Sequence, residues 1–172
     1  ESSAKARGTG IAKRSPIYLA EKMRKKQAYI ALVNDEVAGF CYTETWSDGT
    51  YIANSGLIIF PEYRMLGLAR ELKTFAFQES RKENPHAKFF GLTTSLAVMN
   101  INSELGYRPV TFSELTKDEE FWASCKSCVN YPTLQSKDRK NCLCTAMLFD
   151  PIWEARKQER LNAKNEAQLR KI

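Results

Sequence analysis

The chain has 172 residues, enough for one domain that removes about two-thirds of its unfolded surface from water without a disulfide scaffold. Its composition, 43% hydrophobic and 27% charged, is that of an ordinary globular protein rather than a disordered or membrane one, and no 18-residue apolar run or charged-then-apolar leader is present, so we expect a soluble cytoplasmic protein with no membrane partner. The net charge of +6 suits an acidic partner, but basic and acidic residues are interleaved, which argues against a nucleic-acid-binding stripe.

Residues 1–13 are small, basic and glycine-containing and read as a loop or arm. Ser15 and Pro16 then have the chemistry of a helix start, and Ile17, Leu19, Ala20 and Met23 supply an apolar face. "QAYIALV", "EVAGFCYTETW" and "TYIANSGLIIF" read as three strands of an antiparallel meander, turned at Asn34-Asp35 and Ser47-Asp48-Gly49. A helix of about 16 residues follows, with Leu68, Leu72, Phe75 and Ala76 on one face and a stop near Asn84-Pro85. "AKFFGLTT" reads as a buried strand, "SLAVMNINSEL" as a helix stopped by Gly106, and "YRPVTF" as a strand. Residues 116–124 suggest a short helix, 125–141 a polar loop, "CLCTAMLF" a last strand, and 152–171 a mostly solvated helix. The expected organisation is one mixed α/β (α+β) domain over residues 1–150, with a central, mostly antiparallel sheet, and a helical tail over 151–172.

The stretch "FPEYRMLGLARELKTF" carries the first functional signal. A strand that passes through a loop into a helix start presents backbone N–H groups at the positive end of the helix dipole, which favours an anion. Gly67 lets the backbone approach a pyrophosphate, Ala69 is small for the same reason, and Arg64 adds charge. Neither the Walker loop nor the dinucleotide fingerprint is present. Here the turn follows the third strand of a meander.

In that context "GLIIFPEYRMLGLARELKTFAF" resembles the central strand, the Gln/Arg-x-x-Gly-x-Gly/Ala loop and the following helix of the GCN5-related N-acetyltransferases (GNAT family), whose element order matches residues 14–149. The resemblance implies an acyl-CoA-dependent N-acyltransferase. It assigns the pyrophosphate to the turn formed by Arg64, Met65, Leu66, Gly67, Leu68, Ala69 and Arg70, and the pantetheine arm to the backbones of Ile58, Ile59 and Phe60. Further, "FFGLTTSLAVMNINSELGYRPV" and "GIAKRSPIYLAEKM" are similar to segments of the acyltransferase domain of N-acetylglutamate synthases. That likeness implies transfer of an acetyl or succinyl group to the α-amine of a small acidic amino acid, glutamate above all, as in arginine biosynthesis, with Arg14 and Ser15 near the bound amino acid.

Acyl transfer to an amine needs a base, a donor to the thioester oxygen and an acid for the leaving thiolate. Relatives often place a carboxylate on the central strand, but residues 53–56 read Ala-Asn-Ser-Gly, so Glu44 on the preceding strand is the candidate base. It reads equally well as an exposed strand-end glutamate. Where relatives place a tyrosine that reaches the sulfur, this chain has Asn102; Asn100 and Ser103 are further hydrogen-bonding candidates, Asn100 toward the cofactor. Tyr107 takes the family's aromatic packing position. A carboxylate substrate calls for arginine clamps, Arg14 first and Arg108 second, although Ser15 as a simple helix cap beside a solvated Arg14 is the competing reading. No placed nucleophile is visible, so direct attack in a ternary complex is expected.

Cys125, Cys128, Cys142 and Cys144 give Cys-x2-Cys and Cys-x-Cys pairs whose spacing allows a structural zinc site, with Cys142 and Cys144 on one face of the last strand; reduced core or surface thiols are the alternative. Cys41 reads as a core thiol and His86, the only histidine, as exposed. The expected partners are an acyl-CoA and a small-molecule amine, with a homo-oligomer as a further option. Two other functions stay open: the same chemistry on a different small amine or a protein lysine, and a non-catalytic CoA-binding sensor or zinc-dependent interaction module.

Overall fold

A computed structural model describes residues 14–169; the loop expected over 1–13 lies outside them. The elements run α1 (Pro16–Arg24), β1 (Ala28–Val33), β2 (Glu36–Trp46), β3 (Tyr51–Ile59), α2 (Leu68–Glu83), β4 (Lys88–Thr93), α3 (Leu96–Glu104), β5 (Arg108–Val110), α4 (Glu119–Ala123), α5 (Tyr131–Ser136), β6 (Thr145–Phe149) and α6 (Pro151–Leu169). Local chemistry accounts for most boundaries. Ser15 Oγ accepts from the Tyr18 amide at 3.1 Å with Pro16 in the first turn of α1. Asp118 likewise caps α4 through Glu120 N, and Asp150 Oδ1 accepts from Ile152 N at the start of α6.

The six strands form one mixed sheet in the order β1-β2-β3-β4-β6-β5. All neighbours are antiparallel except β3 and β4, which are parallel. One sheet face packs on α2 and α3, through Ile52, Phe89, Tyr107, Met147 and Phe149 with Phe77 of α2. The other face buries Ala53, Phe90 and Leu148 under the segment that carries Phe112, Leu115, Phe121, Trp122 and Leu134. Aromatic edge-to-face pairs such as Phe90 with Phe121, 4.9 Å between centroids, knit that face. Among the described residues no helix is long and apolar enough to cross a membrane.

Three expectations change. The segment 125–141 is not simply a loop: it contains α5, held by the single buried anchor Leu134. β5 is only three residues long, because the chain turns at Phe112–Glu114 to bury Phe112; Pro109 is tolerated on this edge strand. β6 begins at Thr145, so Cys142 and Cys144 precede it. The cause lies in its neighbours: β4 ends at Thr93, opposite Thr145, and β5 ends at Val110, opposite Ala146, so no ladder extends to the cysteines.

Candidate active site

The two strands at the centre of the sheet part company. β3 and β4 pair only over Tyr51 with Lys88, Ile52 with Phe89 and Ala53 with Phe90. Beyond that point β3 continues to Ile59 paired only with β2, and β4 continues to Thr93 paired only with β6, leaving a wedge between them. A bulge accompanies the parting. Phe40 pairs with Ile58 and Tyr42 with Ser55, so Cys41 of β2 faces both Gly56 and Leu57 of β3. Gly56 has φ +65°, and a Cβ there would lie 2.2 Å from Tyr42 Cε1, so both backbone and space demand glycine.

β3 leads from this wedge into the turn singled out above. Pro61–Tyr63 form one 3₁₀ turn, and Arg64 Nε donates to the Ile59 carbonyl at 3.1 Å. Met65 at φ 67° and Gly67 at φ 81° are both left-handed. Alternation of this kind turns successive N–H groups to one side, as in anion-binding nests. The first bonds into α2 run from Arg70 N and Glu71 N to the Gly67 carbonyl, so the amides of Leu68 and Ala69 precede them at the positive helix end. Gly67 is required by its φ and not by crowding, since a Cβ at that position would have Glu71 Oε1 as its nearest neighbour, 3.9 Å away. Arg70 is held by Glu104 of α3 at 2.8 Å, which ties the turn to that helix. Asn100 is exposed on α3. These residues fit a pyrophosphate at the turn and an extended chain along the open edge of β3.

On the sheet face opposite α2, Glu44 of β2 sits across from Ala53 and is 2% exposed. It is not the exposed strand-end residue of the alternative reading. Its carboxylate accepts from Arg14 Nη2 at 3.1 Å, from Ser55 Oγ at 2.7 Å and from Tyr18 Oη. Tyr18 stands edge-on to Tyr42, 6.1 Å between centroids. Burial, then the bond to Glu44, raises the Tyr18 hydroxyl well above the usual tyrosine range; burial, then the Glu44 charge, pushes Tyr42 up to about 12. Both phenols are donors at neutral pH.

On the α2 face of β3 a second polar group is buried. Lys73 of α2 is 2% exposed, and its Nζ donates to Asn54 Oδ1 at 3.0 Å. Among the described residues no carboxylate pairs with it. Burial lowers the ammonium to about 8, against 10.5 for an ordinary lysine, while the neighbouring Cys41 thiol is pushed by burial up to about 12 and stays neutral. A folded pKa below the unfolded one means that the unfolded chain binds more protons between these two values, so stability from this group rises as pH rises from about 8 to 10.5. The unfolding free energy of wild type relative to Lys73→Met is therefore expected to increase across that window by on the order of 2–3 kcal/mol in urea titrations; a flat difference would show that the amine is not desolvated.

Asn102 of α3 is 1% exposed; its Nδ2 reaches Met147 Sδ at 3.6 Å, and its Oδ1 is buried without a partner. It lies against Gly91 of β4, since a Cβ there would be 3.8 Å from Asn102 Nδ2 and 3.9 Å from the Asn54 carbonyl oxygen.

The structure thus gathers Arg14 and Glu44, with Tyr18 and Ser55, on one face of the sheet at the head of the wedge, while Asn102 lies on the other face against Gly91 and Met147. Ser15 caps α1. Arg108 is not brought in: the row Glu44, Ala53, Phe90, Leu148, Arg108 crosses four strand spacings, roughly 19 Å, and Arg108 is paired with Glu114 at 2.7 Å. The four C-terminal cysteines are free thiols, and among the described residues no group of three or more His, Cys, Asp or Glu side chains is placed to hold a metal ion. Zinc therefore has no support in the structure. Cys128 Sγ accepts from Asn130 N and Cys142 Sγ donates to Asn130 O, while burial pushes Cys125 up to about 11 and Cys144 up to about 12. Cys125, Cys142 and Cys144 pack as small apolar groups against the core. Tyr18, Ser55, Asn54 and Lys73 were not singled out from the sequence. A lysine inside the apolar stripe of Leu72 and Ala76 was the one available signal.

The profile of the acetyltransferase (GNAT) family matches residues 5–99. No curated protein matches the chain in sequence. Among solved structures, N-acetylglutamate synthase from Neisseria gonorrhoeae, complexed with coenzyme A and N-acetyl-glutamate, is similar at 15% identity and TM-score 0.61; the likeness covers 87% of this chain but only 30% of that one. Rv2747 from Mycobacterium tuberculosis, in complex with CoA, is similar at 15% identity and TM-score 0.58, over 82% of this chain and 84% of that one. yncA from Salmonella typhimurium, with its cofactor acetyl-CoA, is similar at 14% identity and TM-score 0.53, over 83% and 79%.

Proposed function

Because the chain belongs to the acetyltransferase (GNAT) family, and is on that footing an acyl-CoA-dependent N-acyltransferase, we propose that it transfers an acetyl group to the α-amine of a small acidic amino acid, glutamate first. Acetyl-CoA supplies the activated thioester. One observation carries the reading: the wedge after Ala53 and Phe90 has a turn with left-handed Met65 and Gly67 at one end and the half-buried cluster of Arg14, Tyr18 and Ser55 around buried Glu44 beside its head. The similarity to a synthase bound to N-acetyl-glutamate supports the acceptor.

In this reading the turn from Met65 to Ala69 holds the pyrophosphate and the open edge of β3 at Ile58 and Ile59 aligns the pantetheine arm, which fixes the thioester at the wedge. Arg14 orients the acceptor carboxylate. Glu44, through the Ser55 hydroxyl that already donates to it, receives the proton that the amine must lose before it attacks. Asn102 faces the leaving sulfur, where its amide offers a hydrogen bond but no proton, so coenzyme A departs as the thiolate and takes its proton from solvent; alignment supplies much of the rate.

Thiol release measured with acetyl- and succinyl-CoA against a panel of amino acids and amines tests this. Glutamate with acetyl-CoA is expected to give the highest kcat/KM. Preference for a different amine replaces the acceptor, and CoA binding without turnover of any amine replaces catalysis with ligand sensing. Arg14→Gln is expected to raise the amino-acid KM by roughly 10- to 100-fold, the worth of a charge-assisted bond, with the acetyl-CoA KM within about twofold; equal rises would remove Arg14 from the acceptor site.

A further inference from the structure

We infer that the Asn54 side-chain amide is a donor to the thioester carbonyl oxygen, and that Lys73 is the positioning residue that holds it in that orientation. The inference rests on the donor half of the proposed function and not on the identity of the amine. Asn54 is the first residue of β3 past its last pairing with β4, so it stands at the vertex of the wedge. Its Oδ1 is taken by Lys73 Nζ at 3.0 Å, and its Nδ2 is buried with no hydrogen-bond partner among the described residues. A buried donor without a partner is unfavourable, so a ligand atom that accepts a hydrogen bond from it is bound with a gain.

Lys73 decides which end of the amide is presented. An ammonium only donates, so it pins the oxygen toward α2 and leaves the nitrogen facing away. Its charge also polarises the amide and makes Nδ2–H a stronger donor. A buried lysine that no carboxylate pairs with among the described residues is a costly device for packing alone, which a methionine would do better. The site narrows further at Gly91, across the vertex, where the Asn54 carbonyl and the Asn102 amide both come within 4 Å of where a Cβ would sit.

The test reads the carbonyl itself. Acetyl-CoA labelled with ¹³C at the acetyl carbonyl is bound to the protein, and its infrared band is compared with that of free acetyl-CoA. In wild type the band is expected at lower frequency than in solution. Asn54→Ala and Asn54→Asp, the latter keeping an acceptor for Lys73 and serving if the alanine variant does not fold, are expected to lose at least half of that displacement. Lys73→Met is expected to lose a similar share, and Asn54→Ala/Lys73→Met no more than Asn54→Ala alone, because the two act as one unit. With any amine that supports turnover, the Asn54 variants should lose roughly 100-fold in kcat, the usual effect of deleting one such donor, with the acetyl-CoA Kd within about threefold. An unchanged band in both Asn54 variants overturns the inference while leaving the donor site intact. Failure of wild type to bind acetyl-CoA overturns both. A band that responds to Asn54 but not to Lys73 overturns the positioning role.

Discussion

Gly56→Ala is expected to be the most damaging single-methyl substitution in the protein. The position has φ +65°, which costs a non-glycine residue about 1–2 kcal/mol. The new methyl would also meet the Tyr42 ring at 2.2 and 2.7 Å, an overpacking of the kind that costs typically about 1–3 kcal/mol. Tyr42 is 5% exposed, edge-on to Tyr18 and tilted against Phe40, so the ring has little room to move aside. Relief comes most easily by straightening the bulge, which would shift the register of Ile58 and Ile59 against β2. We therefore expect a loss of roughly 2–5 kcal/mol, a Tm lower by about 5–20 °C, and weaker acetyl-CoA binding, because the open half of β3 is displaced. Thermal unfolding and a CoA titration check both; a variant with wild-type Tm and affinity would show that the bulge is not a fixed feature.

Glu44→Gln is expected to have the largest effect on turnover. The substitution keeps the shape and leaves one oxygen to accept from Ser55 or Tyr18, but it removes the charge paired with Arg14 and the basicity needed to take a proton. A loss of roughly 10²- to 10⁴-fold in kcat is expected, with the acetyl-CoA KM within about threefold. Because Arg14 is itself mostly buried, with 17% of its side chain exposed, some stability is also lost, so kcat is to be compared at a temperature where both proteins are folded. Retention of more than a tenth of wild-type kcat would transfer the base role to another group or to water.

The parts legible in the sequence were those whose determinants are local. Ser15-Pro16 named the start of α1, and Asn34-Asp35 and Ser47-Asp48-Gly49 the two hairpin turns; all three appear as read, whereas the left-handed φ of Gly67 came only with the structure. What escaped depended on which strand lies beside which. The insertion of β6 between β4 and β5 is written nowhere in the neighbourhood of Thr145, and it determines that Cys142 and Cys144 fall outside the strand. Glu44 was found as a candidate, but its partners came from 30 and 26 residues upstream and 11 downstream, a convergence visible only once β2 and β3 are paired. Arg108 beside Gly-Tyr looked close to the acceptor in one dimension and is separated from it by three intervening strands. Gly56 carried a legible hint, since a glycine inside a strand marks a bulge or a close approach, and it is both.

The short contact between β3 and β4 has a mechanical side. Three residue pairs are the whole ladder between two leaves of three strands each, β1-β2-β3 and β4-β6-β5. Beyond that seam the leaves are joined on one face by Phe77 of α2 against Phe89 and Phe149, and on the other by the rings of Trp46 and Phe121 with Phe90. A ligand lying along the free edge of β3 would act as a seventh, non-peptide strand. In the proposed binding mode it would lengthen the seam from outside and stiffen the joint between two leaves that share only three residue pairs.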